Sequence, residues 1–193
     1  MGERKARRGG YWHARLLKVS PLLVEPTADL HTSWLQARGE FAPGAHLDGA
    51  GLGEKDHVET PASFATWTAN LRRQGDPSVP PKPGWVHCTY RWVVENDTYL
   101  GAVALRHELN DFLFEAAGHI GYSVRPSARR RGLATWALAR TLERARTMGL
   151  DRVLLTCDPD NTASARTIER NGGQLEDTRD TSLGPKRRYW IPL

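Results

Sequence analysis

The chain has 193 residues, 39% of them hydrophobic and 25% charged, with 27 Lys and Arg against 22 Asp and Glu and a formal net charge of +5. That length suits one domain with a buried core, and the composition excludes collagen-like, low-complexity and disulfide-framework chains. No apolar run reaches the roughly 18–20 residues of a bilayer span, and the positive balance favours acidic partners without naming one.

The basic start, MGERKARRGGYWHARLLKVS, lacks the apolar core and small-residue cleavage site of a secretory signal. Residues 1–14 are therefore read as a flexible tail, 15–193 as a single domain, and a cytoplasmic location is expected. A strand is expected over Arg15–Thr27, broken at Pro21. A helix follows in TADLHTSWLQARGEF, capped near Thr27 or Asp29, with Leu30, Trp34 and Leu35 on one face. The glycine-rich segment Ala42–Glu59 reads as a loop. A second helix runs from Thr60-Pro61 to Gly75 with Phe64, Trp67 and Leu71 at helical spacing. Trp34 and Trp67 are read as core residues. Asp48, Glu54, Asp56 and Glu59 are read first as solvated loop charge, with attraction of a cationic acceptor as the alternative.

After a proline-dense connector, WVHCTYRWVVEN and TYLGAVALRHEL predict an antiparallel hairpin turning at Asn96-Asp97. HIGYSVRP predicts a short strand. The next helix places Ala134, Leu138, Leu142, Ala145 and Met148 on one face and stops at Gly149. DRVLLTCD is a continuous apolar run, as in a strand buried on both faces. A short helix starts at the capping Asn161 and ends at Asn171-Gly172-Gly173, and QLEDTRD and KRRYWIPL close the chain as strands. The expected fold is α/β, with a mixed, mostly antiparallel sheet. Cys88 and Cys157 form no Cys-x-x-Cys pair and the seven histidines no helical pair, so neither metal nor disulfide is expected.

One junction carries chemistry. Arg129, Arg130 and Arg131 precede Gly132 where a strand becomes a helix. Adjacent cations repel, so either water screens them or an anion sits there. A helix N-terminus offers unpaired N–H groups and a positive dipole end, and glycine lets a ligand approach the backbone. Arginine supplies forked donors for phosphate. The combination describes a diphosphate cradle. No Walker or Rossmann glycine pattern is present.

The spacing Arg129-x-x-Gly132-x-Ala134 after YSVRP, with Asn161-x-x-Ser164 and Glu169-Arg170-Asn171-Gly172 downstream, resembles the GNAT acetyltransferase superfamily. The likeness runs from Gly118 to Gly173, the cofactor core, and more loosely from Trp85. It implies a sheet of six to seven strands flanked by about four helices, with a splay between the fourth and fifth strands that admits acetyl-CoA. By the same resemblance, the backbone of Tyr122, Ser123 and Val124 would pair with the pantetheine arm. Arg129, Arg130, Arg131, Gly132, Leu133, Ala134 and Thr135 would hold the pyrophosphate. Asn161, with Ser164 in the same motif, would meet the pantetheine. The implied function is acetyl transfer from the thioester directly to a primary amine of a small molecule or a protein N-terminus, without a metal.

A typical amine of pKa about 10 is almost wholly protonated at pH 7, so a base or a desolvating pocket is needed. His119 on the cleft strand, and Glu108 and Asp111 in the RHELND cluster beside His107, are the candidate bases. Many family members carry a tyrosine as general acid where this chain has Ile168. A catalytically inactive acyl-CoA-binding module is an alternative. A nucleic-acid-binding domain using the same arginines is another, though no recognition helix or stacking surface is apparent. The partners expected are acetyl-CoA and an amine acceptor, with neither nucleic acid nor membrane. A homodimer is left open.

Overall fold

The computed structural model describes residues 20–193. The basic tail and the first part of the expected strand, through residue 19, lie outside the described residues. What remains of that strand is β1, Leu22–Val24, ended by Pro26. A single 3-10 turn over Ala28–Leu30 is capped by Thr27, whose hydroxyl accepts from the Asp29 amide, and leads into α1, His31–Gly39. Helix α2, Pro61–Gln74, starts at a reciprocal Thr60–Ser63 capping box.

Strands β2, Cys88–Glu95, and β3, Thr98–Arg106, form the expected hairpin. Asn96 and Asp97 both have positive φ, 49° and 55°, as a two-residue type I′ turn requires. Between β3 and β4, Ile120–Val124, the chain makes a short helical turn that the polar RHELND cluster did not announce. Its entry is capped by Asn110, which accepts from the Leu113 amide at 2.9 Å, and its wide i→i+5 closure brings the Gly118 amide to the Leu113 carbonyl at 2.7 Å. Helix α3, Leu133–Thr147, strand β5, Arg152–Cys157, helix α4, Thr162–Arg170, and the hairpin β6, Gln174–Thr181, with β7, Gly184–Pro192, complete the chain.

All ladders are antiparallel, in two sheets ordered β1-β2-β3-β4 and β5-β7-β6. Both faces of the first sheet are covered, so β2 and β3 alternate between two cores. Val93, Val103 and Leu105 face α3 and α4, while Trp92, Tyr99, Ala102 and Ala104 face α1 and α2. The second core is a cluster of rings, Trp34, Phe64, Trp67, Trp92 and Tyr99, with successive centroids 5.0–6.0 Å apart. Trp34 and Trp67 are thus core residues. The buried stripe of α3 is broader than expected, taking in Leu133, Ala137 and Thr141, while Ala134 stays half-exposed. Among the described residues no helix is long and apolar enough to cross a membrane.

Among the described residues, the two sheets exchange hydrogen bonds at one place. The His119 amide donates to the Leu154 carbonyl at 2.7 Å, and the Leu154 amide donates to His119 Nδ1 at 2.9 Å. Beyond this joint β4 and β5 share no ladder. Arg188 of β7, fully buried, braces the same end by donating to the Phe114 and Glu115 carbonyls of the helical turn and to Glu176.

The α1–α2 loop crosses the sheet edge and rests on β4. Gly49 has φ +74°, and a Cβ there would lie 2.9 Å from Tyr122 Cα and closer still to the Gly121 carbonyl. Gly49→Ala would combine backbone strain with a clash against another strand, and we expect a loss of about 2–4 kcal/mol in urea unfolding.

Burial, then the Arg106 charge, lowers the His119 pKa from 6.5 to about 4. The neutral ring is the one that fits, so its contribution is complete above pH 6.5 and is lost as pH falls toward 4. Wild-type stability should decline through that window by up to about 3 kcal/mol. His119→Asn, which keeps an acceptor but does not titrate, should flatten the slope in pH-dependent denaturant titrations.

Candidate active site

Strand β4 is the edge of the first sheet. One side pairs with β3, and the other faces the opening toward β5, so the outward backbone groups of Tyr122 and Val124 have no strand partner. The Ser123 hydroxyl is buried without a hydrogen-bond partner among the described residues. Across the opening, the Tyr122 hydroxyl meets Ser164 Oγ of α4 at 2.9 Å, and burial pushes this phenol up to about 12. The Cys157 thiol at the end of β5 is also buried, which raises its pKa.

From Val124 the chain passes through a 3-10 turn, Pro126–Ala128, to the arginine run. Gly132 stands at the α3 N-cap with φ 79°, in the left-handed region, and its carbonyl accepts the first helical bond from the Trp136 amide at 3.0 Å. The amides of Leu133, Ala134 and Thr135 therefore have no acceptor within the helix and point from its positive end. A Cβ at Gly132 would meet nothing within 4 Å, so the space in front of the turn is open. Arg130 also lies in the left-handed region, at φ 64°, which costs a non-glycine residue about 1–2 kcal/mol.

The three arginines are not equivalent. Arg131 grips both carboxylate oxygens of Glu95 at 2.7 and 2.9 Å, and Arg129 donates to the Val124 carbonyl at 3.2 Å while lying over the Phe41 ring. Arg130 is exposed with no ion pair among the described residues. A second carboxylate, Glu40 at the end of α1, takes the Ser127 amide at 2.9 Å and the Arg125 guanidinium at 2.7 Å. These bonds, the Ser127 amide first, hold the Glu40 carboxyl below its ordinary range. The turn is thus pinned from both sides by residues 36 and 87 positions away in sequence. No local signal in the sequence marks either carboxylate.

Asn161 caps α4, its Oδ1 accepting from the Ser164 amide at 3.0 Å, which leaves its side-chain NH2 available. Ile168, where a general acid was sought, is completely buried. Of the candidate bases, His119 lies at the closed end of the opening with Nδ1 already accepting from Leu154. Its proton then sits on Nε2, and the ring has no lone pair free for a substrate. Glu108 and Asp111 are exposed on the β3–β4 connection, and His107 bonds Thr89 at 2.8 Å and stacks on His87. The structure does not gather these groups into one cluster. Among the described residues no set of three or more His, Cys, Asp or Glu side chains is arranged to hold a metal.

Comparison with known proteins matches this geometry. Residues 52–174 fit the family model of the Acetyltransferase (GNAT) domain, well over half of the chain. The ribosomal L7/L12 alpha-N-protein acetyltransferase RimL, solved with coenzyme A, superposes with a TM-score of 0.66 at 14% identity, covering 91% of this chain and 95% of that one. The ribosomal-protein-S5-alanine acetyltransferase of Vibrio fischeri gives 0.64 at 17% identity over 89% and 91%. The Microcin C7 self-immunity acetyltransferase MccE, solved with acetyl-CoA and AMP, gives 0.63 at 15% identity over 90% and 92%. No curated protein sequence is significantly similar to the chain. An edge strand open toward its neighbour, a left-handed glycine leading into a helix and a matching family model together establish that the chain belongs to the GNAT acetyltransferase family and is an acetyltransferase enzyme.

Proposed function

We propose that the protein transfers an acetyl group from acetyl-CoA directly to a primary amine of a small molecule or a protein N-terminus. The observation that carries this reading is the junction of β4 with α3, where a strand with an unpaired edge runs into a left-handed Gly132 and unpaired helix amides. The amides around Arg129–Thr135 receive the pyrophosphate, and an anion is stabilised there by the helix dipole. The free edge at Tyr122–Val124 completes its ladder with the amide groups of the pantetheine arm. The Asn161 NH2 adds a further donor. Solved relatives that hold coenzyme A or acetyl-CoA support the choice of donor, and those named for ribosomal-protein N-termini support an α-amine acceptor.

In the transfer the amine nitrogen attacks the thioester carbonyl, and a β4 N–H stabilises the charge that develops on oxygen. The C–S bond then breaks with its electron pair on sulfur. A thiolate of pKa about 8.5 is an adequate leaving group at neutral pH. The hydroxyls of Tyr122 and Ser164 line the same opening and can donate to it, in place of the side chain absent at Ile168. His119 serves as the fastener that fixes the strand, not as the base.

Calorimetry with acetyl-CoA and a free-thiol assay over serine and alanine N-terminal peptides, a lysine peptide and spermidine test the proposal. Thiol release with matching acetylation of at least one amine is expected, and binding without release on any amine would refute transfer to amines. Gly132→Asp should weaken acetyl-CoA binding by at least about tenfold, because its carboxylate opposes the diphosphate. Gly132→Asn, equally tolerant of the left-handed region and uncharged, should stay within about threefold of wild type. Equal affinities for the two variants would remove the turn as the phosphate site.

A further inference from the structure

The α1–α2 loop carries a carboxylate, Asp48, next to the glycine that rests on β4. Leu47 and Ala50 are buried, the Trp67 indole donates to the Gly51 carbonyl at 3.2 Å, and the Gly49 backbone lies against Gly121 and Tyr122. The chain on both sides of Asp48 is therefore moored, and the loop meets β4 on the strand expected to carry the thioester. The Asp48 side chain itself is 68% exposed and sits 3.3 Å from His46.

The charges that face Asp48 come from several elements. They are His46 on its own loop, Arg106 on β3, Lys186 on β7 and Asp158 at the end of β5. Arg106 is held by the Ala117 and Gly118 carbonyls at 3.3 and 3.1 Å, and Lys186 is paired with Asp158. The Asp48 carboxyl thus lies within electrostatic reach of both sheets. Solvent reaches it, yet surrounding protein impedes its hydration and raises its pKa, against the opposing pull of His46, Arg106 and Lys186. A carboxylate of raised pKa is a better proton acceptor near neutrality. The sequence alone favours ordinary solvated charge at this position. Its placement above β4 changes that reading.

We propose that Asp48, held over β4 by the Gly49–Gly121 contact, binds the ammonium form of the acceptor and takes its proton as the nitrogen attacks the thioester. One N–H bond breaks and an O–H bond forms on Asp48. The nitrogen forms the C–N bond of the amide, the C–S bond breaks onto sulfur, and the second nitrogen proton leaves to the thiolate or to solvent. The inference rests on the reading of the opening as the acetyl-CoA site and adds the acceptor's position to it.

Wild type, Asp48→Asn and Asp48→Glu are to be compared on the four amine probes named above, with acetyl-CoA affinity measured in parallel. Asp48→Asn should lower kcat/KM for the amine at pH 7 by at least about 100-fold while the acetyl-CoA Kd stays within about twofold. Its deficit should shrink as pH approaches the amine pKa, where free amine no longer needs a base, and Asp48→Glu should recover part of the rate. Asp48→Asn turnover near wild type, a deficit constant across pH, or a matching loss of acetyl-CoA affinity would each overturn the assignment. A wild type that binds acetyl-CoA but acetylates none of the probes overturns the amine reading and Asp48's role together, which separates that failure from an active wild type with an indifferent Asp48→Asn.

Discussion

An unpaired strand edge is the constraint on which the rest depends. Backbone N–H and C=O groups that lack partners are expensive unless water or a ligand meets them. In this protein β4 gives one edge to β3 and withholds the other from β5, with hydrogen bonds to it, among the described residues, only between His119 and Leu154. That joint sets where the two sheets part, and Arg188 behind it keeps the closed end closed. The proposed donor site depends on keeping the gap open at one end and shut at the other.

The turn entering α3 is held in an unfavourable backbone shape by side chains that are themselves fixed. Glu95 engages Arg131, and Glu40 engages Arg125 and the Ser127 amide, so a stretch with two left-handed residues has little freedom to relax. Preorganisation of this kind lowers the entropy lost when a ligand is ordered. It also assigns the arginines different work. Arg131 is largely neutralised by its partner, Arg129 is spread over Phe41, and Arg130 has no ion pair among the described residues. Under the proposed reading, the backbone amides would carry more of the phosphate recognition than a count of positive charges would suggest.

Local features were legible in the chain. The Asn96-Asp97 turn, the glycine that starts α3, the Asn161 cap and the apolar β5 run each depend on residues within a few positions, and each forms as those residues require. What escaped was long-range. Glu40 and Glu95 look like ordinary surface acids until the fold brings them to the turn entering α3. His119 looks like a base until Leu154 claims Nδ1. Asp48 sits in a loop whose glycines signal unusual backbone but cannot say which strand that backbone will touch. The helical turn over residues 113–117 was hidden by a polar sequence whose order comes from Asn110 and from Arg188, a residue far downstream.

The ring cluster beneath α1 and α2 and the aliphatic core beneath α3 and α4 share one sheet but no side chains. Mutations in either are therefore insulated from the other by a layer of backbone. A lineage built on this plan can rework the tryptophan side, and with it the crossing loop, while passing on the β4–α3 junction unaltered. Diversity of acceptors around a common donor is what such a partition permits.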